Sequence, residues 1–172
     1  MRILVVHNVK GGVGKTTAAV NLAYLAAAGG WPTTVWDLDA QGAAGWYLGA
    51  DGDTDTRAKR LVRGRQSLTD LRQPTPWPNL DLIPGGAGVR HLDVWLDRRD
   101  DPPALLRELV APLAADRRLL VLDCPPSLSR LADAVCALAD VLLVPLVPAP
   151  LSVRAWQLMD HTVARLDLEP AR

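Results

Sequence analysis

Short continuous apolar runs alternate along this chain with longer stretches whose apolar residues recur at three- and four-residue spacing. Runs of the first kind, too continuous for a strand with one wet face, suit strands buried on both faces. They predict five strands: Arg2 to His7, Thr33 to Leu38, Leu80 to Ile83, Leu119 to Leu122 and Val141 to Pro145. The longer stretches predict helices over Thr16 to Ala28, Pro102 to Ala114, Ser129 to Leu138 and Ser152 to Leu166, the first rich in Ala and Leu and stopped by Gly29-Gly30. Met159 and Trp156 in the last helix are expected in the core. The alternation predicts an α/β fold, a mostly parallel sheet with helices on both faces in three layers.

The segment Ala50 to Pro78 breaks this pattern. Asp51, Asp53 and Asp55 precede Arg57, Lys59, Arg60, Arg63 and Arg65, and Pro74, Pro76 and Pro78 close it. A solvated helix and a stiff loop are expected rather than a nucleic-acid patch, because the adjacent acids cancel much of the basic field. Composition sets outer bounds. At 172 residues, one domain spanning 1–172 is expected. The 19 basic and 19 acidic residues cancel, so no long-range field draws the protein to DNA or to an anionic membrane. No apolar run is long enough to span a bilayer and no signal-peptide pattern opens the chain, so a cytoplasmic location is expected. Cys124 and Cys136 form no CxxC and have no His at metal-ligand spacing, which predicts buried thiols. His7, His91 and His161 have no partner at useful spacing and receive no role.

The chemistry concentrates between the first strand and the first helix. Binding a triphosphate needs several backbone N–H groups converging on oxygen anions, and glycines let a chain wrap that closely at a helix start. Lys10-Gly11-Gly12-Val13-Gly14-Lys15-Thr16-Thr17 supplies Gly11, Gly12 and Gly14 there. Lys15 stands where it would neutralise the β and γ phosphates, and Thr16 where a hydroxyl would bind Mg²⁺. The pattern GxxxxGK[ST] would put glycine at position 9, where this chain has Val9, and Lys10 is an additional cation inside the loop. The dinucleotide pattern GxGxxG fails, since Thr17 stands where its last glycine should be. Because Lys15 already serves one set of phosphates, Lys10 calls for an anion of its own, and a second triphosphate is the obvious candidate. Leu119 to Leu122 followed by Asp123 is an apolar strand ending in a carboxylate, the arrangement that holds Mg²⁺ through water.

In these residues the chain resembles the ParA/MinD family of P-loop ATPases, whose signature KGGxGK[ST] matches Lys10 to Thr16. Asp37-Leu38-Asp39-Ala40-Gln41-Gly42 is similar to the family's DxDPQG element, with Ala40 and Ala43 departing from its usual wording, and Asp123-Cys124-Pro125-Pro126-Ser127 is similar to its Asp-x-Pro-Pro-Ser. The resemblance runs over nearly the whole chain apart from Ala50 to Pro78.

It implies a P-loop NTPase fold short of the family's C-terminal strands, which would leave a sheet edge near the fifth strand exposed. It also implies ATP and Mg²⁺ as cofactors, slow ATP hydrolysis that a ParB-like partner stimulates, and an ATP-dependent homodimer in which Lys10 reaches the partner's ATP. Asp39 would orient the attacking water. Partition of a plasmid or chromosome, or cargo positioning, is the implied task. Nonspecific DNA is an implied partner whose usual residues lie beyond this chain, as do the usual adenine contacts, and nucleoid association would follow from it. No membrane partner is expected, since Leu166 to Arg172 is too short and polar for the terminal membrane helix of MinD. The alternative is an ATP-dependent metabolic carboxylate ligase of the dethiobiotin or cobyrinate synthetase type. A nitrogenase-type reductase would need paired cysteines at a cluster, and a bacterial tyrosine kinase a tyrosine cluster that Tyr24 and Tyr47 do not form.

Overall fold

The computed structural model describes residues 1–49 and 54–165. Asp51, Asp53 and the tail Leu166 to Arg172 lie outside the described residues. Among the described residues six strands form one sheet: β1 (Arg2–Val6), β2 (Thr33–Asp37), β3 (Gln73–Pro74), β4 (Leu80–Ile83), β5 (Leu119–Asp123) and β6 (Val141–Leu143), in the order β3-β4-β2-β5-β1-β6. Every pairing is parallel except that of β3 with β4. Alternate residues of the central strands feed two cores. Leu120 and Leu122 of β5, Val5 of β1 and Trp36 of β2 join one, while Val121, Val6 and Val35 join the other. The expectation of helices on both faces therefore holds.

On one face lies α1 (Lys15–Ala28), whose buried Ala19, Ala23 and Ala27 recur at four-residue spacing. This methyl row lets the helix backbone approach the sheet closely. The helix ends as its sequence predicts: the Gly30 N–H donates to Ala27 O and the Trp31 N–H to Ala26 O, both at 3.0 Å. The short α2 (Ala43–Leu48) packs beside α1 through Ala44 and Leu48. The other face is covered by α5 (Val89–Asp97), α6 (Pro102–Val110) with a 3₁₀ turn at Ala111–Ala115, and α7 (Arg130–Cys136), which contribute Leu92, Leu96, Leu106, Leu113 and Leu131. The last helix, α8 (Pro150–Arg165), follows β6.

Several expectations need correction. The segment expected to be a solvated helix and a stiff loop holds α3 (Thr54–Val62), α4 (Leu68–Leu71) and β3, and it buries Leu61, Leu68 and Leu71 in the main core. An ion-pair network fixes its far end: Arg72 pairs with Asp116 at 2.7 Å and Asp81 at 3.2 Å, and Arg117 pairs with Asp81 as well. Trp156 is 45% exposed and stands outside the core, whereas Met159 is fully buried as expected. The predicted helix over Pro102 to Ala114 gives way to a 3₁₀ turn after Val110, with Pro112 in that turn unable to donate to the α-helical ladder. Helices α2 and α5 were not anticipated. Both cysteines are buried free thiols, as predicted. Among the described residues no strand pairs with the outer edge of β6, and Val141 on it is exposed.

Candidate functional site

Strand order places the site. β5 lies between β1 and β2, with Val6 opposite Asp123 on one side and Asp37 opposite Asp123 on the other. The glycine loop leaving β1 and the loop leaving β2 therefore flank the carboxylate that ends β5, at the carboxyl edge where open α/β sheets bind their ligands. Gly11, Gly12, Gly14, Lys15, Thr16 and Thr17 line an open cavity of about 360 Å³ together with Asp39, Ala43, Tyr47 and Pro126.

The loop can turn into α1 only through left-handed backbone, with φ of 71° at Gly12 and 90° at Gly14, the N-cap residue. No side chain caps this helix start, which leaves its N–H groups free for an anion. The Lys15 side chain folds back so that Nζ donates to the Lys10 carbonyl at 3.0 Å. Burial lowers its pKa, while Asp123 and Asp39 pull it back up. The loop is braced from behind by Asn8, fully buried, whose Oδ1 accepts the Lys10 N–H at 2.9 Å and whose Nδ2 donates to the Pro145 carbonyl at 2.8 Å. The Lys10 side chain is half-buried at the loop.

Asp123 is 1% exposed, and neither carboxylate oxygen has a well-formed hydrogen bond from the protein. Burial pushes its pKa up to about 6, against the nearby Thr16 hydroxyl and Lys15 ammonium. A buried carboxylate left with open lone pairs beside a helix-start hydroxyl and an ammonium suits a hydrated divalent cation with phosphate oxygens. The donor set of Thr16 and Asp123 thus fits Mg²⁺. Asp39 is half-exposed at the cavity rim, its Oδ1 accepting the Gln41 N–H at 2.9 Å. All the predicted site residues, Lys10 through Thr17 with Asp39 and Asp123, come together at one end of the sheet.

Three further groups at the site were given no role in the sequence reading. Asp37, fully buried, accepts the Asp39 N–H at 2.9 Å and the Ala44 N–H at 3.0 Å, and burial raises its pKa to about 7. His7 is buried beside the loop, with its pKa lowered to about 4 by desolvation and then by Lys15. The Gly85-Gly86 turn after β4 touches the Asp39 loop. Polar His7 and Asn8 directly after an apolar strand were the available signal for the buried groups behind the glycine loop.

The family pattern described as an AAA domain matches residues 1–169. The chain belongs to that family. Within it, the resemblance to ParA/MinD ATPases holds. The chain is 36% identical over 164 residues to the chromosome partitioning protein ParA of Myxococcus xanthus, covering 94% of this chain and 58% of that protein. It is 35% identical over 167 residues to the chromosome-partitioning ATPase Soj of Treponema pallidum, covering 96% and 64%. The chain thus spans about three fifths of the length of these relatives. Among solved structures, apo McdA from Cyanothece superposes with a TM-score of 0.89 at 24% identity, over 97% of this chain and 66% of that one, which speaks to fold alone. Cobyrinic acid a,c-diamide synthase from Mycobacterium smegmatis, with bound ADP and magnesium, gives 0.88 at 27% identity over 97% and 68%. Among the described residues no helix is long and apolar enough to cross a membrane.

Proposed function

We propose that residues 1–172 act as one P-loop domain that binds ATP with Mg²⁺ and hydrolyses it to ADP and phosphate, as the nucleotide-dependent dimerisation switch of a ParA-type partition or cargo-positioning system in the cytoplasm. The observation that carries the reading is the orphaned Asp123 carboxylate next to Thr16 and Lys15 at an uncapped, glycine-led helix start. The two partition relatives and the ADP–magnesium-bound structural neighbour support it.

In this reading the loop N–H groups and Lys15 bind the β and γ phosphates, and Thr16 and Asp123 hold the metal, the latter through water. Bound Mg²⁺ would supply charge neutralisation at the transferring phosphoryl group. Asp39 orients the attacking water, and Lys10 serves the nucleotide of a second copy. A ParB-like protein would stimulate the otherwise slow hydrolysis, and DNA would be the surface on which the dimer works.

The test is calorimetry with Mg-ATP followed by phosphate release. Lys15→Ala should weaken binding by about a hundredfold or more, the loss expected for one partner of a close charge pair. Asp39→Ala should keep binding and slow hydrolysis by about a hundredfold or more. Unchanged affinity in Lys15→Ala would refute the phosphate assignment. A second reading, a ligase that phosphorylates a carboxylate, draws on the cobyrinic acid synthase likeness. It would instead show ATP turnover that depends on a small carboxylic acid and needs no protein partner.

A further inference from the structure

The loop that carries Asp39 is tied down at two acceptors. Asp37 Oδ1 accepts the Asp39 N–H at 2.9 Å, and the Asp39 carbonyl accepts the Gly42 N–H at 3.1 Å and the Gly86 N–H at 3.0 Å. Asp37 Oδ2 adds a fourth bond by accepting the Ala44 N–H at 3.0 Å, which anchors the start of α2. Both acceptors occupy the space beside Gly85 that a side chain would need. A Cβ added there would stand 2.6 Å from the Asp39 carbonyl oxygen and 2.7 Å from both Cγ and Oδ1 of Asp37. Neither neighbour is the loose end of a flexible chain: one is backbone, the other a buried carboxylate already holding two N–H groups. Gly42 faces the same turn, with the Gly85 carbonyl at 3.9 Å from its own Cβ position.

We propose that Asp37 and the Gly85-Gly86 turn form a clamp that positions Asp39, so that Asp37 and Gly85 are positioning residues for hydrolysis though neither lines the cavity. The proposal rests on the reading of Asp39 as the water-orienting group. The physical basis is local. A carboxylate on a loop between two ordered elements has its side-chain direction set by its own backbone, and here that backbone is bonded on its N–H side to Asp37 and on its carbonyl side to Gly86. The turn also runs directly into α5, where the Val89 N–H donates to the Gly86 carbonyl at 3.0 Å, so the clamp links Asp39 to a helix on the opposite face of the sheet.

The experiment compares Gly85→Ala with the parent and with Ala87→Ser, an exposed position in the same turn, by three readouts: ATP affinity in Mg²⁺, hydrolysis rate, and amide hydrogen exchange. Gly85→Ala should bind ATP within about threefold of the parent while kcat falls about tenfold or more, since a displacement near 1 Å suffices for that. Exchange protection should drop at Asp39, Gly42, Ala44 and Gly86 and persist along β2 and β5. Ala87→Ser should match the parent. Hydrolysis at the parent rate, or unaltered protection at those four amides, overturns the clamp. If Gly85→Ala does not fold, Asp37→Asn decides by the same readouts, because its amide NH₂ cannot accept the second of the two N–H groups. If the parent itself does not hydrolyse ATP, or Asp39→Ala leaves hydrolysis unchanged, the proposed function fails separately, and the exchange data alone then decide whether Gly85 holds the Asp39 loop.

Discussion

Among the buried ionisable side chains around the site, Asp37, Asp123 and His7 pull stability in opposite directions with pH. Burial raises the pKa of Asp37 from 3.8 to about 7. Between those values the folded protein keeps a proton that the unfolded chain has released, so this group favours folding fully below 3.8 and progressively less as pH rises through 7. Asp123 acts in the same sense between 3.8 and about 6. His7, lowered from 6.5 to about 4, acts in the opposite sense: its contribution is complete above 6.5 and is lost as pH falls toward 4. Without nucleotide, Asp37→Asn should therefore gain less melting temperature than the parent on acidification from neutral pH to about 5. Parallel melting curves across that range would disprove the assignment. At this scale the sequence was informative where a motif fixes spacing, as for Lys15, Thr16 and Asp123. It was silent on Asp37 and Gly85, because a carboxylate that orients solvent and one that holds backbone are the same letter until burial and register separate them.

Among the elements, α1 couples the core to the site. Its N-terminus carries Lys15, and its alanine row at Ala19, Ala23 and Ala27 sets how near the helix lies to the sheet. Ala23→Leu inserts bulk at a fully buried position and should cost about 1–3 kcal/mol, read as a lower denaturation midpoint with unchanged m. Ala28→Leu, on the exposed side, should stay within about 0.5 kcal/mol. Equal effects of the two substitutions would mean that the alanine row does not set the packing distance. The parallel strands were readable because burial on both faces writes continuous apolar runs. The short elements were not: α2 has six residues, α4 four and β3 two, and each owes its existence to neighbours rather than to periodicity. For α5 a signal was present but went unused, since Val89, Leu92 and Leu96 share a helical face.

For the molecule as a whole, the proposed switch depends on a second copy, and Lys10 is the residue that tests it. A cation delivered across an interface to a phosphoryl-transfer site can be worth about 10³ to 10⁵ in rate while adding little to binding within one subunit. Lys10→Ala should therefore bind ATP nearly as the parent does and lose stimulated hydrolysis. Once ATP-dependent dimers are seen by light scattering, mixing Lys10→Ala with Lys15→Ala should restore activity in the composite site that pairs an intact Lys15 with an intact Lys10. No recovery in the mixture would mean that Lys10 does not act between copies. The strand order has a further consequence, for the order of assembly. β1 is synthesised before the other five strands of the described sheet, yet its partners are β5 and β6, the latest of the six, with Arg2 opposite Leu119. At about 5–20 residues per second, the intervening chain takes roughly 6 to 20 s to emerge from a ribosome. Until then the glycine loop has no Asp123 beside it, so a nascent chain cannot capture nucleotide in this geometry, and β2 with β4 is the parallel pair that can close first.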